Sequence, residues 1–155
     1  MTELIVFGAK YLVVVVMLGG ALVLAFAGER RRRLTYVLVV ALPLGYALAR
    51  LAGLFFAHNQ PFAVEGFEPL VPHAVDNSFP SDHVALGGIF ASLAFLVDRR
   101  VGLVLWAFTL LVGLSRMLAG LHYGVDVLVA TLLALGAVFV ARKVVLWAGG
   151  RQPYP

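Results

Sequence analysis

The 155-residue chain is 62% hydrophobic, carries charge on only 13% of its residues and has a mean hydropathy of +0.97, which excludes an ordinary soluble domain. Cysteine is absent, so a disulfide framework and a thiolate metal site are excluded as well. The net charge of +4 does not indicate nucleic acid, because four of the twelve basic residues form one block, Arg30 to Arg33, between two apolar segments.

A membrane-spanning helix takes about 20 mostly apolar residues. The first such stretch, residues 4–27, lacks the basic leader and small-residue cleavage site of a signal peptide and is expected to be retained as a helix. Further stretches run over 34–57, 83–97, 101–119 and 124–147, the third of them short. The expected fold is therefore all-α, a single integral membrane bundle of five transmembrane helices over residues 1–155, with 58–82 as its longest polar interval. Short loops rich in Arg and Lys stay in the cytoplasm. Here "GERRRR" (28–33), "DRR" (98–100) and "ARK" (141–143) fall at alternate helix ends, which places the N-terminus outside and the C-terminus inside. The 58–82 loop and the turn at 118–124 then share the outer face and, with His83 at the loop's edge, hold all four histidines.

Two stretches in those outer segments carry chemistry. In "SRMLAGLHYGVDV" (115–127), Arg116 ends an apolar helix, Gly120 allows a tight turn, and His122 and Asp126 stand four residues apart at the start of the next helix. That spacing lets Asp126 accept from one ring nitrogen of His122 and leaves the other bare, the preparation of a nucleophile or general base. The helix N-terminus there also favours a bound anion, acyl or phosphoryl alike. The other stretch, "DNSFPSDHVALGG" (76–88), sets Asp82 and His83 at the edge of an apolar run.

"PSDH" (80–83) followed by "SRMLAGLHYGVD" (115–126) resembles the second and third signature motifs of the type 2 phosphatidic acid phosphatase superfamily, P-S-x-H and S-R-x-x-x-G-x-H-x-x-x-D. The wider context "HNQPF…VDNSFPSDHVALGG" is similar to the bacterial undecaprenyl pyrophosphate phosphatase branch. The resemblance implies that His122 forms a phosphohistidine, that Asp126 orients it, that His83 protonates the leaving group, and that Ser81 and Arg116 bind phosphate oxygens with no metal or cofactor. The first family motif, K-x6-R-P, is not matched: counting back from Pro61, Gln60 stands in the arginine place and Gly53 in the lysine place. Arg50, one turn deeper on nearly the same face, and Gln60 are the candidates for the distal phosphate.

Blander roles are expected elsewhere. Asp82 is read as a helix cap in preference to a group that tunes His83, Lys10 either as snorkelling or paired with Glu3 or as facing substrate, His58 and His73 as solvated, Phe62 and Phe67 as interfacial aromatics, and Gly19, Gly20, Gly87 and Gly88 as helix contacts. The expected function is hydrolysis of undecaprenyl pyrophosphate at the outer face of a bacterial plasma membrane, with an isoprenoid or phospholipid phosphate as substrate and membrane lipids as surroundings. The alternatives are the same chemistry on phosphatidic acid or phosphatidylglycerophosphate, and a transporter or metal-binding bundle built on the two histidines and Asp126.

Overall fold

The computed structural model describes residues 1–149, in which the chain forms seven α-helices. These are α1 (Thr2–Lys10), α2 (Leu12–Ala25), α3 (Arg31–Phe55), α4 (Pro61–Glu65), α5 (Asp82–Val97), α6 (Arg99–Leu118) and α7 (Gly124–Ala148). A 3-10 turn, Gly28–Arg30, leads into α3, and a single bridge pairs Asn59 with Asn77. Residues 150–155, which include the end expected on the inner side, lie outside the described residues.

Three segments are long and apolar enough to cross a membrane: Gly28–Phe55, Arg99–Leu118 and Gly124–Ala148. Taken as one span bent by 45° at Tyr11, α1 and α2 make a fourth. The remaining expected span is α5, whose 16 residues reach about 24 Å and fall short of a hydrocarbon core of about 30 Å. It sits in the middle of the bundle instead, packed by α2, α3, α6 and α7 and buried from Val84 through Ala94 except at Leu86.

Side chains are sorted as lipid demands. A stripe of small residues faces inward at steps of mostly four, with Ala41, Gly45, Ala49 and Gly53 on α3 and Ala130, Ala134, Ala137 and Ala141 on α7. Large ones such as Leu54, Leu128, Leu132 and Phe139 face outward. Where the surroundings are as apolar as leucine, burying leucine gains little, and close backbone approach between small residues supplies the packing. The expected helix contacts at Gly20, Gly87 and Gly88 are met by Phe90, Thr109 and Ala134.

The loop between α3 and α5 is fastened down. Phe62 on α4 and Val71 pack against Ala9, Ala119 and Leu121. The Phe62 and Leu70 amides donate to the carbonyls of Gly120 (3.1 Å) and Ala119 (3.2 Å). Phe62 is therefore a buried anchor and not the interfacial aromatic expected, while Phe67 stays 44% exposed. The docked loop forms a roof over the helix ends that carry Arg50, His83, Arg116 and Asp126.

Candidate active site

The turn between α6 and α7 sets the third motif. Gly120 adopts φ +79°, a left-handed conformation that glycine enters without steric penalty. It lets the Leu121 amide reach the Arg116 carbonyl (3.0 Å) and the Gly120 amide reach that of Met117 (3.0 Å), closing α6 in a Schellman motif. His122 follows at once, 8% exposed. Asp126, fully buried in the first turn of α7, accepts the Tyr123 amide at 2.8 Å and so caps the helix with the same carboxylate that serves the site.

The expected direct bond between His122 and Asp126 is replaced by a three-membered chain. His122 Nδ1 is 3.4 Å from Asp126 Oδ2, and the Ser78 hydroxyl stands between them, 3.2 Å from Nδ1 and 2.5 Å from Oδ2. The helix starts only at Gly124, so His122 precedes it and the two residues do not share a helix face. The other oxygen of Asp126 faces His58 Nε2 at 3.0 Å, an ion-pair distance without hydrogen-bond alignment. The His58 ring rests between Phe79 and Tyr123. His58, expected to be solvated, thus belongs to the site, and so does Ser78. His58 lies three residues before Pro61 and Ser78 two before Pro80, both inside the stretches that carry the family resemblance. That was the one signal available for them.

A second group stands on α5, α6 and α1. The Arg116 side chain is buried, its Nη1 donating to the Ala9 carbonyl (3.3 Å) and to His83 Nε2 (3.4 Å). A guanidinium only donates, so this contact requires an unprotonated Nε2. The amide of Ser81, the residue before α5, reaches the Asp126 carbonyl at 3.3 Å and ties the two motifs together. Ser81 Oγ and Arg116 Nε are buried with no protein partner among the described residues, which leaves both able to bond a substrate oxygen.

Other candidates are placed differently. Asp82 does not cap α5 through its side chain; it pairs with Arg50, whose Nη2 lies 2.6 and 2.8 Å from the two carboxylate oxygens. Arg50 also stacks over Tyr46, 5.2 Å from the ring centre. The pair is more than half exposed, where ion pairs contribute little. A double-mutant cycle of Asp82→Asn with Arg50→Gln is expected to give a coupling of roughly 0.2–1 kcal/mol in thermal unfolding, shrinking in salt. An unchanged effect of Asp82→Asn in the Arg50→Gln background would assign Asp82 a role outside the pair. Gln60 is buried and its amide is taken up by the loop, through the Ala74 carbonyl and the carboxylate and backbone N–H of Asp76. It braces the roof in this geometry. At Gly53 the loop crosses so closely that a Cβ would stand 2.8 Å from Asn77 Nδ2 and 3.0 Å from the Phe79 carbonyl oxygen, so a lysine has no room there. His73 and Lys10 are exposed. Among the described residues no group of three or more His, Cys, Asp or Glu is arranged to hold a metal ion.

Known proteins resemble the chain in sequence and in fold. Residues 33–149 match the PAP2 superfamily. The bacitracin transport permease protein BcrC of Bacillus licheniformis is 31% identical over 142 residues, covering 90% of this chain and 70% of that protein. The undecaprenyl-diphosphatase BcrC of Bacillus subtilis is 36% identical over 108 residues, 69% of this chain and 55% of that protein. The crystal structure of Aquifex aeolicus LpxE superposes with a TM-score of 0.68 at 24% identity, over 92% of this chain and 82% of that one, a likeness of fold.

Proposed function

The chain belongs to the PAP2 superfamily, and from that premise we propose that it is a membrane phosphatase converting undecaprenyl pyrophosphate to undecaprenyl phosphate and inorganic phosphate. The observation that carries the reading is the His122–Ser78–Asp126 chain beside the Arg116–His83 pair, both at one end of a membrane bundle. His122 attacks the terminal phosphorus through Nε2. The bond to the bridging oxygen breaks, and that oxygen takes a proton from His83 as it leaves with the lipid. Water then attacks the phosphohistidine, His83 accepts its proton, and inorganic phosphate departs. Arg116 and Ser81 hold the equatorial oxygens, supplying the positioned charge and hydrogen bonding that phosphoryl transfer needs. We assign Arg50, once released from Asp82, to the distal phosphate. No step calls for a metal or cofactor.

Phosphate release from undecaprenyl pyrophosphate by detergent-purified protein tests the reading. Turnover undiminished in excess EDTA is expected, and inhibition by EDTA would favour the metal-binding reading. No release from this lipid, with turnover of phosphatidic acid or phosphatidylglycerophosphate, would move the substrate assignment to another lipid phosphate.

We place the site on the outer face of a bacterial plasma membrane because Arg30, Arg33 and Arg142 gather at the opposite end of the bundle. A cysteine introduced in the 58–80 loop is expected to react with an impermeant reagent on intact cells, and one at 30–33 to be protected; the reverse pattern would overturn the sidedness.

A further inference from the structure

At the end of the bundle away from the histidines, two crevices share a wall. One, of about 250 Å³, opens between α5, α6 and α7 and is lined by apolar side chains, among them Phe95, Leu96, Trp106 and Phe139, with Ser92 and Arg142 as its polar members. The other, of about 370 Å³, is lined by Arg30, Arg33, Arg142 and aliphatic residues, and meets the first at Leu96 and Arg142. The combined space is amphipathic, with a cationic mouth and an apolar interior. Phe95 and Phe139 at the rim are exposed, so the space opens sideways toward lipid.

Two further observations indicate that an amphiphile fits here. Among the described residues no ion pair engages Arg30 or Arg142; the carboxylate of Glu29 lines the adjoining cavity, which shares Arg30 and Arg33 with this one, and it is paired with neither Arg30 nor Arg142. Ser92 is 8% exposed, and its hydroxyl has no hydrogen-bond partner. A helical serine ordinarily returns its proton to the carbonyl four residues back, so an unbonded buried hydroxyl beside a crevice is an open donor. It stands one turn, about 6 Å, deeper than Leu96. That is the order in which an anionic glycerolipid presents its groups: phosphate outermost, ester oxygens next, acyl chain innermost.

We propose that this crevice binds an anionic phospholipid of the membrane, its phosphate on Arg30 and Arg142, its ester region at Ser92, and one acyl chain along Trp106 and Leu135. Guanidinium forks match phosphate oxygens in a geometry that a zwitterionic headgroup satisfies less well, because its own cation competes. Basic pockets between membrane helices are suited to such headgroups. The apolar interior selects a lipid over a free anion. The site is remote from the His122 chemistry and does not depend on its assignment.

Trp106 lines the crevice and is one of two tryptophans in the chain, so in a Trp147→Phe background its fluorescence reports occupancy. Phosphatidylglycerol with brominated acyl chains, added to delipidated protein in neutral detergent, is expected to quench Trp106 saturably. Brominated phosphatidylcholine should quench far less, and inorganic phosphate at matching concentration should not compete. Arg30→Gln/Arg142→Gln should weaken the phosphatidylglycerol titration about 30-fold. Equal quenching by both lipids, or an unchanged titration in the folded double variant, would overturn the site. Competition by free phosphate would reduce it to an anion site without lipid selectivity. Folding is followed by the far-ultraviolet helix signal and elution volume. If the double variant fails these, Arg142→Lys carries the test: a loss of about fivefold supports the fork, and wild-type binding refutes it.

Discussion

His122→Ala is expected to lower phosphate release by on the order of 10⁴–10⁶-fold, because it removes the atom that takes the phosphoryl group in the proposed mechanism. The hydrogen-bond chain specifies which atom that is. Ser78 has one proton and two acceptors in reach, the Leu121 carbonyl at 3.2 Å and the Asp126 carboxylate at 2.5 Å. The nearer, charged acceptor takes it. The lone pairs of the Ser78 oxygen are then left for His122 Nδ1, 3.2 Å away, which must carry the ring proton. A neutral imidazole protonated at Nδ1 has a bare Nε2, so the chain fixes together the ring orientation and the tautomer that the proposed attack requires. The wild-type protein should accumulate an acid-labile phosphoenzyme when quenched during turnover, and His122→Ala should show none. Full turnover, or a surviving label, in well-folded His122→Ala would remove His122 from the chemistry. His122→Asn, which keeps polar atoms in this buried place, guards against a folding artefact.

The parts of this arrangement that were legible in the sequence are those set by local chemistry. Composition and the length of the apolar runs gave the membrane bundle, since apolar runs of sufficient length have no other stable state in lipid. The spacing of Gly120, His122 and Asp126 gave the turn and the nearness of the histidine to the carboxylate, though not the Ser78 hydroxyl that links them, because a left-handed glycine after Arg116 and a carboxylate in the first turn of α7 are local events. What escaped was carried by the docked loop. Ser78 meets Asp126 across 48 positions and His58 meets it across 68, separations at which no periodicity survives. The same loop explains Gly53: Asn77 and Phe79 cross α3 there, so the family's lysine is replaced by a residue without a side chain. Asp82 was misread because an acid at the head of a helix resembles a cap, whereas Arg50, 32 residues upstream, offers a nearer charge. Similarly, the short α5 looked like a fifth span because hydropathy reports apolar surroundings without telling lipid from neighbouring helices.

His83→Ala is expected to slow hydrolysis of the lipid pyrophosphate by about 10²–10⁴-fold, the contribution of one positioned proton donor. Its present geometry states a condition on that role. Nε2 accepts from Arg116 at 3.4 Å and therefore holds no proton while that contact lasts. Arg116 has a second anchor on the Ala9 carbonyl, 3.3 Å from the same nitrogen, so the guanidinium keeps its place when a phosphate oxygen takes over the contact to His83. Substrate would thus separate the pair and bring the negative charge that a protonated imidazole needs beside it. Two consequences distinguish an acid from a mere phosphate ligand. The defect in His83→Ala should shrink on an activated aryl phosphate, whose leaving group departs with little protonation, provided that the pocket accepts it. It should also leave phosphoenzyme formation from such a substrate fast relative to its hydrolysis, because the second step still lacks its base. Arg116→Ala, by contrast, should be slow on both substrates, since the equatorial oxygens need their charge whatever leaves. A His83→Ala protein equally impaired on lipid pyrophosphate and aryl phosphate would assign His83 to binding, and the proton for the bridging oxygen would have to come from elsewhere in the site.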